Sequence, residues 1–246
     1  MPAADSAPDF RPLYAQVREL MVQRLISGAW KPGSILPSET ELANQFRVSQ
    51  GTVRKALDEL ADQNIVVRKQ GRGTFIAEHS RSRSLFHFFH IVDRDGRKEL
   101  PASRLIEIHA EPCDAEQAER LHLSRRARVY RMLRLRALEG RPVILERLTV
   151  PAELFPNLDR RLPLDQDMVD ELYVLYQKSY GVTIVRAHEM LSAVAVDALD
   201  RRYLSLAADE PVLQIDRVAH DLEGRPVEWR VSHCDTCRHA YRSDID

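Results

Sequence analysis

The stretch Val48–Leu57, VSQGTVRKAL, decides how this chain is read. Ser49 suits a helix N-cap, and Val53, Ala56, Leu57 and Leu60 follow at the spacing that lays one helical stripe against a core. The row that opens this helix, Ser49, Gln50, Gly51 and Thr52, is small and polar. Its first turn therefore projects away from the core, toward something outside the domain.

Upstream, Leu13, Val17, Leu20, Met21 and Leu25 fall on one helical face after Pro12, and Gly28 with Lys31–Gly33 ends that helix. A second, short helix opens at Ser38, with Glu41 in capping-box position and Leu42, Ala43 and Phe46 on its inner face. Downstream, NIVVRKQGRGTFI (Asn64–Ile76) reads as two short strands around a tight basic turn. Helix, helix, turn, helix and hairpin is the plan of a winged helix-turn-helix, expected over residues 10–77.

In that fold the third helix enters the major groove with its N-terminal residues on base edges. Gln50, Thr52 and Arg54 are then expected to face the bases, and Lys55 to reach a phosphate or a base edge further along. Arg68, Lys69 and Arg72 on the hairpin are expected at the backbone or minor groove, where Gly71 and Gly73 allow close approach. Ser38, Thr40 and Ser49, at the starts of the two helices, complete the expected DNA-contacting set. Bulk charge is silent, since the formal net charge of the 246 residues is -1; from Arg11 to Glu78, however, 10 basic residues stand against 7 acidic ones.

The segment from Leu13 to Ile76, with LPSE, TVRKAL and GRGTF in order, resembles the N-terminal domain of GntR-type bacterial transcription regulators. Two positions depart from that pattern: Gln50 stands where Arg usually follows the Ser of the recognition helix, and Thr40 where Arg often follows Glu39. Arg pairs well with guanine and Gln with adenine, so the family's familiar operator is not assumed. Arg54 matches the pattern and is the first choice for a base contact.

After the wing, Glu78–Ser84 is polar and basic, a linker by composition. Beyond it LEGRP occurs at Leu138–Pro142 and again at Leu222–Pro226, an offset of 84 residues. Each copy sits in a strand, Glu-Gly turn, strand context preceded by a helical stretch, Asp114–Leu123 and Asp197–Leu206. This is an internal duplication, and two such units predict a mostly antiparallel sheet with helices on one face, an α+β class. Through RLRALEGRPV, LTVPAELFPNL, LYQKSYGV and DLEGRPVEW, residues 85–246 are similar to the UTRA effector domain of the HutC branch of GntR regulators. The resemblance implies a chorismate-lyase-like fold and a homodimeric regulator, most often a repressor, that leaves a palindromic double-stranded DNA operator when a small-molecule effector binds.

Arg134 and Arg136, spaced i, i+2 on a strand, point to one face beside Met132, with Leu133 and Leu135 on the other. Paired guanidiniums suit a carboxylate or phosphate; from the residues alone they equally suit ion-paired or surface positions, and the resemblance favours the effector cavity. It also implies Glu146, Glu228 and Tyr173 there. Glu171 replaces a small hydroxyl of the family pattern; facing the cavity it would repel a phosphate, and facing solvent it would change nothing.

The composition, 44% hydrophobic and 30% charged, is that of a globular protein, and three cysteines are too few for a disulfide framework. With no signal-like N-terminus and no run near the ~18 apolar residues of a membrane span, a cytoplasmic protein without membrane contact is expected. HCDTCRH (His233–His239) and HFFH (His87–His90) offer metal-ligand types, but the first lies where the duplication puts a final strand and the second opens an apolar edge; no metal or cofactor is expected. Only Lys98 and Lys178 follow Leu85, which with the short length argues against an appended Schiff-base enzyme. No nucleophile has a base at recognisable spacing. A regulator without a small-molecule effector, or an enzyme by analogy with chorismate lyase, are the alternatives.

Overall fold

The computed structural model describes residues 11–80, 88–164, 167–169 and 172–244. The chain forms two compact units, one ending at Glu78 and the other beginning at His79. His79 was expected in the linker; instead it is buried in the second unit, its N–H donating to Gln177 Oε1 at 2.9 Å and its ring against Phe88 and Tyr173.

The first unit contains α1 (Leu13–Ile26), α2 (Glu39–Phe46), α3 (Gln50–Asp62) and the hairpin β1 (Val66–Lys69) with β2 (Gly73–Ile76). Ser38 and Glu41 form the expected capping box, and Ser49 caps α3 by accepting from the Thr52 N–H at 3.1 Å. Val53, Ala56, Leu57 and Leu60 bury one face of α3 with Val17 and Met21 of α1 and Leu42 of α2 in the same core, while Gln50, Gly51, Arg54 and Lys55 stay exposed.

The second unit holds β3 (Ile91–Asp93), β4 (Ala102–Pro112), α4 (Ala115–Arg120), β5 (Arg128–Leu138), β6 (Arg141–Pro151), β7 (Asp167–Val169) and α5 (Leu172–Tyr180). It continues with β8 (Ile184–Ala195), α6 (Ala198–Leu204), β9 (Pro211–Asp221), β10 (Pro226–Cys234) and β11 (His239–Tyr241). Seven strands form one antiparallel sheet in the order β7-β4-β5-β6-β10-β9-β8. Moving the bounds of β4, α4, β5 and β6 along by the 84-residue offset lands within two residues of β8, α6, β9 and β10. The duplication read from the pentapeptide is therefore the plan of the sheet, with β6 and β10 paired at its centre. Both copies also start their helix with a capping box, Asp114 with Gln117 and Asp197 with Asp200.

The expectation of helices on one face is corrected. Leu204 of α6 joins Leu133 and Leu145 on one side of the sheet, whereas Leu172, Tyr173 and Tyr176 of α5 join Met132, Leu148 and Val150 on the other. Alternate residues of β5 and β6 are apolar on both faces, so neither face can be left to water.

Candidate nucleic-acid interface and effector cavity

In the first unit the exposed N-terminal turn of α3 carries its polar groups on a carboxylate scaffold. Glu39 Oε2 accepts from Arg54 Nε at 3.0 Å and Nη2 at 2.8 Å, and from Gln50 Nε2 at 3.5 Å. Arg68 of β1 lies 3.9 Å from the other oxygen of Glu39 and 2.6 Å from Asp58. One edge of the Arg54 guanidinium is thus fixed, and its remaining donors face out beside Gln50. The Arg54 pKa is raised by its hydrogen bond and charge interaction with Glu39, which keeps the cation intact.

The other expected contacts fare unevenly. Thr40 and Arg72 are exposed, and Thr52 is half-buried with its hydroxyl 2.8 Å from that of Ser49. Ser38 is engaged in its own helix, its backbone N–H and hydroxyl both donating to Glu41 at 2.8 Å. Lys55 does not extend outward: its Nζ lies 3.9 Å from the centroid of the Tyr14 ring, a cation–π contact inside the unit. Gly73 is called for by its own fold, with φ +102° and a Cβ position 3.1 Å from Ile35 Cδ1.

In the second unit Arg134, Arg136, Glu146, Glu228 and Arg230 are all buried on one face of β5, β6 and β10. Glu146 accepts from Arg134 Nε at 2.6 Å, Arg136 Nη1 at 3.0 Å and Arg230 Nη1 at 3.3 Å. Arg230 Nη2 is 2.7 Å from Glu228, whose two oxygens accept from the hydroxyls of Tyr173 at 3.1 Å and Tyr176 at 3.0 Å. On the neighbouring β9, Arg217 is held by Glu189 at 2.5 Å, and Glu189 also accepts from the Tyr241 hydroxyl.

Burial pushes the Glu146 carboxyl up, but Arg134, Arg230 and Arg136 together outweigh it and hold the group below its ordinary range. Burial and then the Glu228 charge push Tyr173 up to about 12 and Tyr176 well above its ordinary value. Both phenols are therefore neutral donors and Glu228 is their acceptor.

A cavity of about 20 Å³, room for one water, opens against this cluster, lined by Phe88, Phe89, Arg136, Leu172, Tyr173, Arg217 and Arg230. Among the expected effector residues, Arg136 and Tyr173 reach it. Arg134, Glu146 and Glu228 do not line it: Arg134 is engaged with Glu146, and Glu228 with Arg230 and the two tyrosine hydroxyls. Glu171 lies outside the described residues.

Residues 96–240 match the UTRA domain, and residues 13–76 match the family of bacterial regulatory proteins described as gntR. The chain belongs to the GntR family. It is 30% identical over 207 residues to the histidine utilization repressor of Pseudomonas putida, covering 84% of this chain and 81% of that protein. It is 31% identical over 231 residues to the HTH-type transcriptional regulator GgaR of Escherichia coli K12, covering 93% and 89%. Its fold is similar to that of PhnF from Mycobacterium smegmatis, with TM-score 0.54 and 24% identity over 94% of this chain and 99% of that one. Membership of the GntR family makes the protein a DNA-binding transcription regulator with a C-terminal effector domain, not an enzyme. None of its described helices is long and apolar enough to cross a membrane.

Sequence reading missed Glu39 as the seat of Arg54, because the two meet only through the packing of α2 against α3. It also missed Arg217 and Arg230. Arg230 was findable, since it stands two residues after Glu228 on the same strand face, the spacing that singled out Arg134 and Arg136. His233–His239 does not converge: Cys234 is buried with its thiol pushed up to about 12 by burial and then Asp235, while Cys237 is exposed. His233 instead pairs with Asp200 at 2.7 Å, beside the Asp197–Asp200 capping box and Arg147.

Proposed function

We propose that the protein is a cytoplasmic homodimeric repressor that holds a palindromic operator and releases it when a small-molecule effector enters the cavity of the second unit. Gln50, Thr52 and Arg54 read base edges, with Thr40, Ser49, Arg68 and Arg72 at the backbone. Arg136 and Tyr173 touch the effector, and Arg134, Glu146 and Glu228 hold them in place. Glu171 is proposed beside the effector on the family pattern alone.

The observation that carries the reading is the buried ionic cluster beside the cavity. Buried ion pairs are a poor route to stability, since apolar side chains of similar volume serve as well or better. Such a cluster is better explained by what it recognises. A second reading, a regulator with no small-molecule effector, draws support from the cavity volume of about 20 Å³.

The test is selection of binding sites from random duplex DNA, then titration of the selected duplex with metabolites, read by fluorescence anisotropy. A two-fold-symmetric site, lost with Arg54→Ala and released by a defined compound, is expected. An asymmetric site, or binding undiminished by Arg54→Ala, overturns the DNA assignment; release by nothing in a broad metabolite set favours the second reading.

A further inference from the structure

Three imidazoles gather near the β8 edge of the second unit, on the sheet face opposite to Arg217. His188 of β8 and His220 of β9 share that face, since His188 pairs with Val218 and Arg186 with His220 in the β8/β9 register. Their ring centroids are 5.3 Å apart, with the planes at 86°. His122 follows α4, and the end of that helix is laid on the same face: Arg120 reaches Asp216 at 2.9 Å and stacks over the Trp229 ring. His122 is near enough for its charge to act on His220.

The local fold does not call for histidine at these places. Glycine or asparagine usually fills the left-handed position after a helix, and His122 holds it at φ 52°. His122 and His188 are exposed, and His220 Nδ1 is a buried nitrogen with no hydrogen-bond partner among the described residues. Burial first, and then Arg186, His188 and His122, lower the His220 pKa, which favours the neutral ring. A neutral imidazole offers its lone pair to a metal, whereas an anion would want the protonated ring. Two imidazoles on one tetrahedral zinc, with Zn–N bonds of about 2.0–2.1 Å, hold their centroids about 5 Å apart. His188 and His220 already stand at that separation.

We propose that His122, His188 and His220 form a site for one divalent transition-metal ion of the zinc type, with water as fourth ligand. The site is independent of the effector cavity. The pair on the sheet is preset, and His122 turns in to close it, tying the end of α4 to the edge strand β8. Asp197, Asp200 and His233 already bring three ligand atoms within 4.8 Å of one another, but that place is taken: Arg147 pairs with both carboxylates and His233 with Asp200. Beside the histidines the facing cation is Arg186, which is exposed and whose long stem lets the charge stand off in water.

The test is isothermal titration of the full, untagged chain with Zn²⁺, with visible spectroscopy of the Co²⁺ form, at about pH 7.5, where imidazole is deprotonated. Mg²⁺ and inorganic phosphate are the controls. One zinc per chain is expected, weakened at least about tenfold in His122→Asn, His188→Asn and His220→Gln, with tetrahedral cobalt bands free of thiolate charge transfer. His109→Asn and Cys237→Ser should bind like wild type. Circular dichroism checks the fold of each variant; if His220→Gln does not fold, the two exposed positions decide alone.

Zinc binding no tighter than that of magnesium would leave the rings an ordinary edge-to-face pair and overturn the proposal. So would wild-type affinity in any folded histidine variant, or a thiolate band lost in Cys237→Ser. Phosphate binding that the histidine variants abolish, with zinc silent, would make the cluster an anion site and overturn it as well.

Discussion

Replacing Glu146 by alanine isolates the central ion of the second unit. The carboxylate is 1% exposed and sits 2.6, 3.0 and 3.3 Å from the nitrogens of Arg134, Arg136 and Arg230, themselves 1%, 3% and 4% exposed. Arg230 keeps Glu228, but Arg134 and Arg136 lose the carboxylate that both share. Removing one partner of a buried pair costs about 3–5 kcal/mol, because the charge left behind stays desolvated. At roughly 2–4 °C per kcal/mol for a unit of this size, Tm of the second unit should fall by about 6–20 °C. Urea unfolding followed by circular dichroism should show a lower midpoint with an unchanged slope. Glu146→Gln, which keeps volume and an acceptor oxygen, should lie in between. A loss below about 1 kcal/mol in Glu146→Ala would mean that the guanidiniums reach water, rearrange freely or are held by their other contacts, and would refute the argument that Glu146 holds them.

The remaining expectations concern both units. Glu39→Gln should leave the fold intact but loosen Arg54, weakening operator binding and relaxing discrimination at one base pair per half-site by about tenfold in anisotropy titrations with single-base variants; unchanged discrimination would show that Arg54 needs no support. Gly73→Ala should destabilise the first unit by more than about 1 kcal/mol, because φ +102° and the 3.1 Å approach of Ile35 both oppose a Cβ; an unaltered melting curve would contradict this. Stability of the second unit should depend on pH. Burial depresses the His90 pKa, so its contribution is complete above 6.5 and is lost as pH falls from there through the lower folded value. Glu146 and Glu189 are likewise depressed, so their contribution is complete above 4.5 and is lost below it. Urea midpoints that stay flat as the pH is lowered to about 4 would rule this out.

The local features were legible in the chain itself. The caps at Ser38 and Ser49, the apolar stripe of α3, the basic hairpin turn and the 84-residue repeat all depend on neighbours a few residues apart or on literal recurrence, so a linear reading finds them. The same holds for the shared face of Arg134 and Arg136, which follows from the two-residue period of a strand. What those side chains meet is another matter. Glu39 with Arg54, Lys55 with Tyr14, and Glu146 with Arg230 join residues 15, 41 and 84 positions apart. Only the packing of α2 and α1 on α3, and of β6 beside β10, brings them together. Two covered sheet faces, rather than one, likewise follow from which strands become neighbours. Sequence determined the elements and the kinds of charge they carry; tertiary structure decided which charges face one another and which arginines line a cavity, because desolvation acts on position in space and not on order along the chain.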